Sequence, residues 1–265
     1  MGRPFAWAGL VGLVFAFLFF LFAFTPPLGK VKQEMSFLVS LRDGKTKKIL
    51  VRRNSPEFVR LAYCPSYVRG AIIVSEDANF YRHRGVDFVE IWQAILEHFS
   101  YGERLRGAST ITQQVAKNAY LSRERSFLRK MKEYFLARRL ERVLSKEEIL
   151  DYYVNGVEFG EGIYGLKAAA RHYFQKDPSA LGPAEAATLA FFLPNPVKRG
   201  RDFIEGRDSA FRDKSVSWAV YQIAAQGYMP RGLSPVPTTG STNEAPASNP
   251  ETNEVPPAPA STNTP

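Results

Sequence analysis

The stretch IIVSEDANFYRHRGVD at 72–87 places two adjacent carboxylates where they could do chemistry. An apolar run precedes Glu76 and Asp77, aromatic residues follow them, and a basic triplet comes at 82–84. Burying an unpaired charge is unfavourable, so such acids are normally found at the surface or in ion pairs. The alternative is a catalytic base in a partly dry, electropositive cleft. The local pattern leaves both interpretations open.

A second polar segment, GASTITQQVAKN at 107–118, begins with a glycine and a Ser/Thr pair and then has helical spacing. Neutral hydrogen-bonding groups that end in a lysine suit a polyhydroxylated or phosphorylated ligand near a helix N-terminus. The other interpretation is a capped helix with an ordinary polar surface. The side chains predicted to share one helix face are Thr110, Gln113, Gln114 and Lys117.

A third segment, RSFLRKMKEYFLARRLERV at 125–143, contains a carboxylate surrounded by cations. On a helical wheel Glu133 lies only about 20° from Leu140, so it is not simply opposite the apolar residues. It could form i,i+4 ion pairs on a surface helix, for example with Arg129. It could also be a second site carboxylate among cations that bind a pyrophosphate. The surrounding cations are Arg125, Arg129, Lys130, Lys132, Arg138 and Arg139.

The elements that must position these side chains lie between two distinctive ends. Residues 5–24 are uncharged and long enough to cross a bilayer as a helix, and they exceed the apolar core of a signal peptide. They therefore predict an uncleaved anchor. Residues from 233 onward are rich in Pro, Thr, Ser and Asn and predict disorder. Between these ends, 36–53 predicts a β-hairpin that turns at Asp43-Gly44, and 56–230 predicts mainly helix.

Composition narrows the choice of partners. A chain of 265 residues can form one domain with appendages, and its net charge of +9 favours an anionic partner: nucleic acid, a membrane surface or a phosphorylated substrate. The single cysteine, Cys64, permits no intrachain disulfide. With only three histidines besides, the sequence does not favour a structural zinc site.

Two further segments complete a set of five. ILDYYVNGVEFGEGIYGLKAAARHYFQK at 149–176 predicts a helix, a glycine-punctuated loop and a second helix. AEAATLAFFLPNP at 184–196 predicts an apolar helix that ends before Pro194. Together with SEDANFYRHRGVD, GASTITQQVAKN and RKMKEYFLARRLE, these segments resemble the five ordered motifs of peptidoglycan glycosyltransferases, family 51. The sequence contains no S-x-x-K acylation motif, so the resemblance is to the monofunctional biosynthetic members.

The resemblance implies a mainly α fold: a lysozyme-like helical glycosyltransferase domain with a small β-hairpin, preceded by one transmembrane helix. The domain organisation that follows is a tail and anchor at 1–28, a membrane-proximal linker with the hairpin at 29–55, the glycosyltransferase domain at 56–232 and a disordered tail at 233–265.

The resemblance also implies a mechanism. Members polymerise lipid II, an undecaprenyl-pyrophosphate-linked disaccharide-pentapeptide, into β-1,4-linked glycan strands with inversion at the MurNAc C1. Glu76 would be the general base that takes the proton from the acceptor GlcNAc 4-hydroxyl. Glu133 would orient the donor and assist departure of undecaprenyl pyrophosphate. Whether Glu133 does so through Mg²⁺ or Mn²⁺ is left open.

Eight further residues match motif positions that bind substrate or shape the site. Lys117, Arg125 and Lys132 would contact the donor phosphates. The complete set is Asp77, His83, Ser109, Gln113, Gln114, Lys117, Arg125 and Lys132.

The implied partners are lipid II, the growing glycan strand and plasma-membrane lipids. Cell-wall synthesis and division proteins are open candidates, and nucleic acid is not expected. The implied location is the bacterial inner membrane, single-pass, with the catalytic domain in the periplasm. Lys30, Lys32 and Arg42 follow the predicted span and by the positive-inside rule point the other way, but large domains translocate largely regardless of charge.

Two other functions remain. A lytic or inverting muramidase would also use two glutamates in a helical cleft. A membrane-bound binding protein would leave both glutamates without a catalytic role. The cations around Glu133 favour a pyrophosphate-linked substrate over a neutral glycan.

Overall fold

The computed structural model describes residues 11–19, 28–40, 45–101, 109–121 and 126–233. Helices dominate this part of the chain, as predicted from its periodicity. The helices are α1 (Ser66–Glu76), α2 (Phe88–Tyr101), α3 (Ile111–Tyr120), α4 (Phe127–Val143), α5 (Lys146–Gly156), α6 (Leu166–Phe174), α7 (Pro183–Phe192), α8 (Pro196–Ile204) and α9 (Ser209–Ala225). The strands are β1 (Glu34–Ser40), β2 (Thr46–Arg52), β3 (Glu158–Gly160) and β4 (Ile163–Tyr164), and short 3₁₀ turns occur at Leu61–Tyr63 and Pro178–Ala180.

The predicted hairpin is confirmed, with β1 and β2 pairing antiparallel. Its turn, predicted at residues 43 and 44, lies outside the described residues. β1 packs against α3, and Phe37 is buried against the end of α5. Gly156 permits this contact, because a Cβ there would lie 2.6 Å from atoms of the Phe37 ring. The hairpin, predicted as part of a linker at 29–55, therefore contributes side chains to the core of the helical domain.

Helix α1 lies at the centre of that core and packs against α7 and α9. Its run Ile72-Ile73-Val74 is fully buried. The helix ends where the backbone N–H of Asp77 donates to the carbonyl of Ile73 at 2.9 Å and the chain turns away. Glu76 and Asp77 are thus placed at the carboxyl end of a buried helix. Helix α3 packs across α4 and α5 and faces this end.

The second hairpin, β3–β4, was not predicted. It occupies the glycine-punctuated loop between the helices expected at 149–176. Gly162 and Gly165 adopt φ of +71° and +88°, a region that glycine enters without strain. The strands have three and two residues, too few to produce a recognisable alternation of apolar side chains.

Residues 11–19, within the predicted span at 5–24, are helical. The rest of that segment lies outside the described residues, as does the predicted tail beyond Leu233. No helix in the described part of the chain is both long enough and apolar enough to cross a membrane.

Candidate active site

The N-terminus of α3 is held by a capping box. The backbone N–H of Gln113 donates to the Thr110 hydroxyl, and the N–H of Thr110 donates to the Gln113 side-chain oxygen, both at 3.2 Å. The Thr110 hydroxyl in turn donates to the carbonyl of Gly85 at 2.7 Å. Thr110 and Gln113 are buried, whereas Gln114 and Lys117 reach an open cleft. Thr110 and Gln113 thus serve the helix cap, because the N–H groups of a first helical turn need acceptors, and only the other two of the four side chains predicted to share one face reach the cleft.

Glu76 is half-buried at the end of α1 and receives two hydrogen bonds through one oxygen. The Gln114 amide Nε2 donates to Glu76 Oε2 at 2.6 Å, and the Tyr153 hydroxyl donates to the same oxygen at 3.2 Å. Both donors are neutral, so the carboxylate is oriented without being neutralised by an ion pair from either of them. A carboxylate oriented in this way can accept a proton.

Asp77 is buried and joins the end of α1 to the start of α3. Its carboxylate accepts from the backbone N–H of Ile111 at 3.0 Å and lies 2.9 Å from His83 Nε2. The other ring nitrogen of His83 has no hydrogen-bond partner among the described residues. Asp77 and His83 thus support the position of Glu76, and their predicted contact with substrate stays a prediction.

Glu133 is buried on α4, with an exposure of 2%. Arg129 Nη1 donates to one carboxylate oxygen at 3.1 Å, and Lys130 Nζ donates to the other at 2.5 Å. The ammonium of Lys130 also donates to the Ser109 hydroxyl at 2.8 Å. The i,i+4 pair considered from the sequence is present, but its carboxylate is buried in the domain rather than placed on a solvated face.

Lys117 lines the open cleft together with Gln114 and Arg129, which contact the two glutamates. Its ammonium is half-buried, and burial lowers the pKa of Lys117 below that of an ordinary lysine, while the charges of Glu133 and Glu76 act in the opposite direction. Arg129 and Lys130 add to the lowering. The charged form of Lys117 is therefore destabilised by burial, and an anion that binds beside it would reduce this destabilisation.

An open cleft of about 480 Å³ runs past these groups. Glu76 is not itself a lining residue, but it accepts a hydrogen bond from Gln114, which lines the cleft. The polar or charged side chains of the wall come from α3, α4 and the β3–β4 hairpin. The remainder of the lining comes from β1, the residue after α3, the C-terminal end of α5 and the junction of α7 and α8. The lining residues are Leu38, Val39, Gln114, Lys117, Asn118, Leu121, Arg129, Gly156, Val157, Glu158, Tyr164, Leu193 and Pro196.

The remaining predicted phosphate contacts are less defined. Arg125 lies outside the described residues, and Lys132 is half-buried on α4. For a metal, both Glu133 oxygens are occupied by cations, and the described residues contain no group of three acidic, histidine or cysteine side chains that could hold an ion. This donor set does not fit a metal site.

Comparison with known proteins places the chain in a family. A family model described as Transglycosylase matches residues 43–215. The chain belongs to the transglycosylase family. It is similar to the biosynthetic peptidoglycan transglycosylase of Alcanivorax borkumensis, with 41% identity over 176 residues, which cover 65% of this chain and 71% of that protein. The protein of the same name from Shewanella denitrificans is 42% identical over 173 residues, which cover 65% and 73%. That from Bordetella pertussis is 47% identical over 137 residues, which cover 49% and 55%.

Family membership confirms the recognition made from the five motifs and the glycosyltransferase class it implied. One site residue, Tyr153, was missed by the sequence reasoning. It lies on α5, is almost fully buried and is 77 positions from its partner Glu76. No local pattern distinguishes it from the adjacent Tyr152, so only the packing of α5 against α3 reveals its contact.

Proposed function

We propose that this transglycosylase polymerises lipid II into the β-1,4-linked glycan strands of peptidoglycan and releases undecaprenyl pyrophosphate. The observation that carries the proposal is an open cleft whose wall holds Lys117 together with Gln114, which hydrogen-bonds to Glu76, and Arg129, which pairs with Glu133. Two relatives named biosynthetic peptidoglycan transglycosylase, each matched over more than two thirds of its length, support the choice of substrate.

Glu76 acts as the general base. Its carboxylate takes the proton from the 4-hydroxyl of the acceptor sugar as that oxygen attacks C1 of the donor sugar. The bond from C1 to the pyrophosphate oxygen breaks, and its electron pair leaves with the pyrophosphate. A single displacement inverts the configuration at C1 and needs no covalent glycosyl-enzyme. Gln114 and Tyr153 hold the base in place for this step.

Lys117 and Arg129 bind the donor pyrophosphate and stabilise the charge that develops on it. Both line the cleft, and Arg129 is held there by its ion pair with Glu133. Glu133 therefore acts by orienting the cations of the donor site. Arg125 and Lys132 are proposed as further phosphate contacts from their motif positions.

The muramidase alternative fits these contacts less well. A hydrolase needs a general acid that keeps its proton, which an apolar pocket favours. Glu133 instead forms ion pairs with two cations, Arg129 and Lys130, and lies in no apolar pocket. The arrangement suits a reaction whose leaving group is already an anion and needs no protonation.

We further propose that residues 5–24 anchor the chain in the inner membrane with the catalytic domain in the periplasm. The apolar side chains of the helical stretch 11–19 are largely exposed to solvent rather than packed in the core. Helix α2 exposes a second apolar face, formed by Phe88, Val89, Trp92 and Leu96. Both surfaces suit contact with lipid, from which a lipid-linked donor would enter the cleft.

The test is polymerisation of labelled lipid II by the purified full-length protein, followed by digestion of the product with a muramidase. We expect a high-molecular-weight glycan that the muramidase reduces to disaccharide-peptide units. The Glu76→Gln variant is the matched control and should leave lipid II unpolymerised. Degradation of preformed glycan by the wild-type chain, without polymer synthesis, would support the hydrolase instead.

A further inference from the structure

We infer that Tyr153 is a positioning residue for the general base, acting through a hydroxyl that it shares between Glu76 and Gln114. The inference rests on the role proposed for Glu76. It goes beyond that role because it names the hydrogen-bond donor whose partner changes when Glu76 changes from the ionised to the protonated form.

The three side chains form a closed triangle. The Tyr153 hydroxyl lies 3.2 Å from Glu76 Oε2 and 3.3 Å from Gln114 Oε1, and Gln114 Nε2 lies 2.6 Å from Glu76 Oε2. A phenol has one proton to donate, so at any moment it serves either the carboxylate or the amide oxygen. With Glu76 ionised, the charge-assisted bond to the carboxylate is the stronger one. Once Glu76 has taken the substrate proton, the hydroxyl can turn to Gln114 at almost the same distance.

The surroundings of Tyr153 exclude its hydroxyl from solvent and keep it protonated. The residue is 1% exposed in the middle of α5. Burial, reinforced by the negative charge of Glu76, raises the pKa of Tyr153 well above its ordinary value. The hydroxyl therefore keeps its proton throughout the range in which a glutamate base works.

The adjacent residue supplies a matched comparison. Tyr152 is also fully buried on α5, but its hydroxyl has no hydrogen-bond partner among the described residues. Its ring packs edge-on against Phe58 and beneath the guanidinium of Arg53. Two neighbouring tyrosines of similar burial thus differ in whether the hydroxyl reaches the site.

The test compares Tyr153→Phe with Tyr152→Phe in lipid II polymerisation across pH. Losing a donor to the carboxylate favours its protonated form, so we expect the acid limb of the Tyr153→Phe profile to move upward by about one pH unit. We expect kcat to fall about tenfold with little change in KM. The Tyr152→Phe profile should match the wild type. Superimposable profiles for all three proteins, or a Tyr153→Phe defect confined to KM, would overturn the inference.

A second variant and a second readout distinguish failure of this inference from failure of the proposed function and from misfolding of the variant. Fluorotyrosine at position 153 is a stronger donor of the same shape and should move the acid limb downward, which a structural role would not do. The titration midpoint of the Glu76 carboxyl, followed by carbon NMR, should rise in Tyr153→Phe and not in Tyr152→Phe. This titration would report the contact even if no polymerisation were found. An unchanged midpoint would refute the contact even in an active enzyme.

Discussion

The two carboxylates that end α1 occupy a position that local physics disfavours. Helix C-termini carry partial negative charge, so an acid there is unfavourable by about 0.3–1 kcal/mol. For Asp77 the backbone N–H of Ile111, at the positive start of α3, supplies compensation, and for Glu76 Gln114 and Tyr153 supply it. A residue that breaks a local rule while its neighbours accommodate it is typical of a functional site.

Replacing Glu76 with glutamine keeps the shape of the side chain but removes its ability to accept the proton. We expect kcat for lipid II polymerisation to fall by about 10²–10⁴-fold. The melting temperature should stay close to that of the wild type, because the amide can still accept hydrogen bonds from Gln114 and Tyr153. A folded variant with near wild-type turnover would remove Glu76 from the role of base.

Lys117→Met should separate stability from function. Because burial lowers the pKa of Lys117, the folded state carries a cost for its charge at all pH values below that pKa, and the cost disappears as the pH rises through it. At neutral pH the substitution should therefore raise the free energy of unfolding, by about 0.5–2 kcal/mol. Binding of a phosphoglycolipid competitor, measured by calorimetry, should weaken at least about tenfold. Lys176→Met, which removes an exposed partner of Glu185, is the control for both measurements; a Lys117→Met protein that binds normally would contradict the donor-site assignment.

At this scale the sequence could predict residue types but not all their partners. Glu76, Glu133 and Lys117 were predicted from motifs, and in the structure Lys117 lines one cleft with Gln114 and Arg129, the partners of the two glutamates. The capping role of Gln113 and the contact of Tyr153 were not predicted. The first depends on which of two adjacent glutamines turns inward, and the second joins residues far apart in the chain.

At the scale of elements, β1 and the end of α5 approach each other closely. The Phe37 ring lies where any Cβ at position 156 would clash. Glycine is therefore required at this contact for space rather than for backbone conformation. The hairpin and the helices could be predicted from alternation, periodicity and caps. Their mutual packing could not, because a glycine in a loop-rich motif gives no sign of the side chain that lies against it.

Gly156→Ala should destabilise the domain by about 1–3 kcal/mol, because the added methyl group overpacks a buried contact. The matched double variant adds Phe37→Leu, which removes ring atoms on the opposite side. Urea unfolding should show that the double variant loses less than the sum of the two single losses. Strict additivity would mean that the Cβ and the ring do not meet.

At the scale of the whole molecule, positive charge and exposed apolar surface occur together. The chain carries a net charge of +9, and α2 presents four large apolar side chains to solvent. A soluble catalyst has no need of such a face. An enzyme whose donor is embedded in an anionic bilayer would use both features.

Trp92→Glu should slow lipid II polymerisation at a bilayer more than polymerisation in detergent. Withdrawing an aromatic side chain from apolar surroundings forfeits about 1.5–3 kcal/mol, so we expect at least about tenfold slower polymerisation of lipid II in proteoliposomes. The rate in detergent solution should change much less. Tyr63→Glu, at another exposed aromatic residue, serves as the control. Equal losses in both media would show that Trp92 does not face lipid.

The burial of Val31 limits how far the catalytic domain can lie from the membrane. This residue is 2% exposed in the core and follows Phe24, the end of the predicted span, by seven positions. Even a fully extended chain covers at most about 25 Å over that interval, less than the thickness of a bilayer's hydrocarbon core. With the proposed anchor in place, the catalytic domain is tethered too close to the membrane to follow its product outward. A growing glycan strand would then have to move away from the membrane while the catalytic domain stays beside it, so new material would enter the wall at its innermost layer.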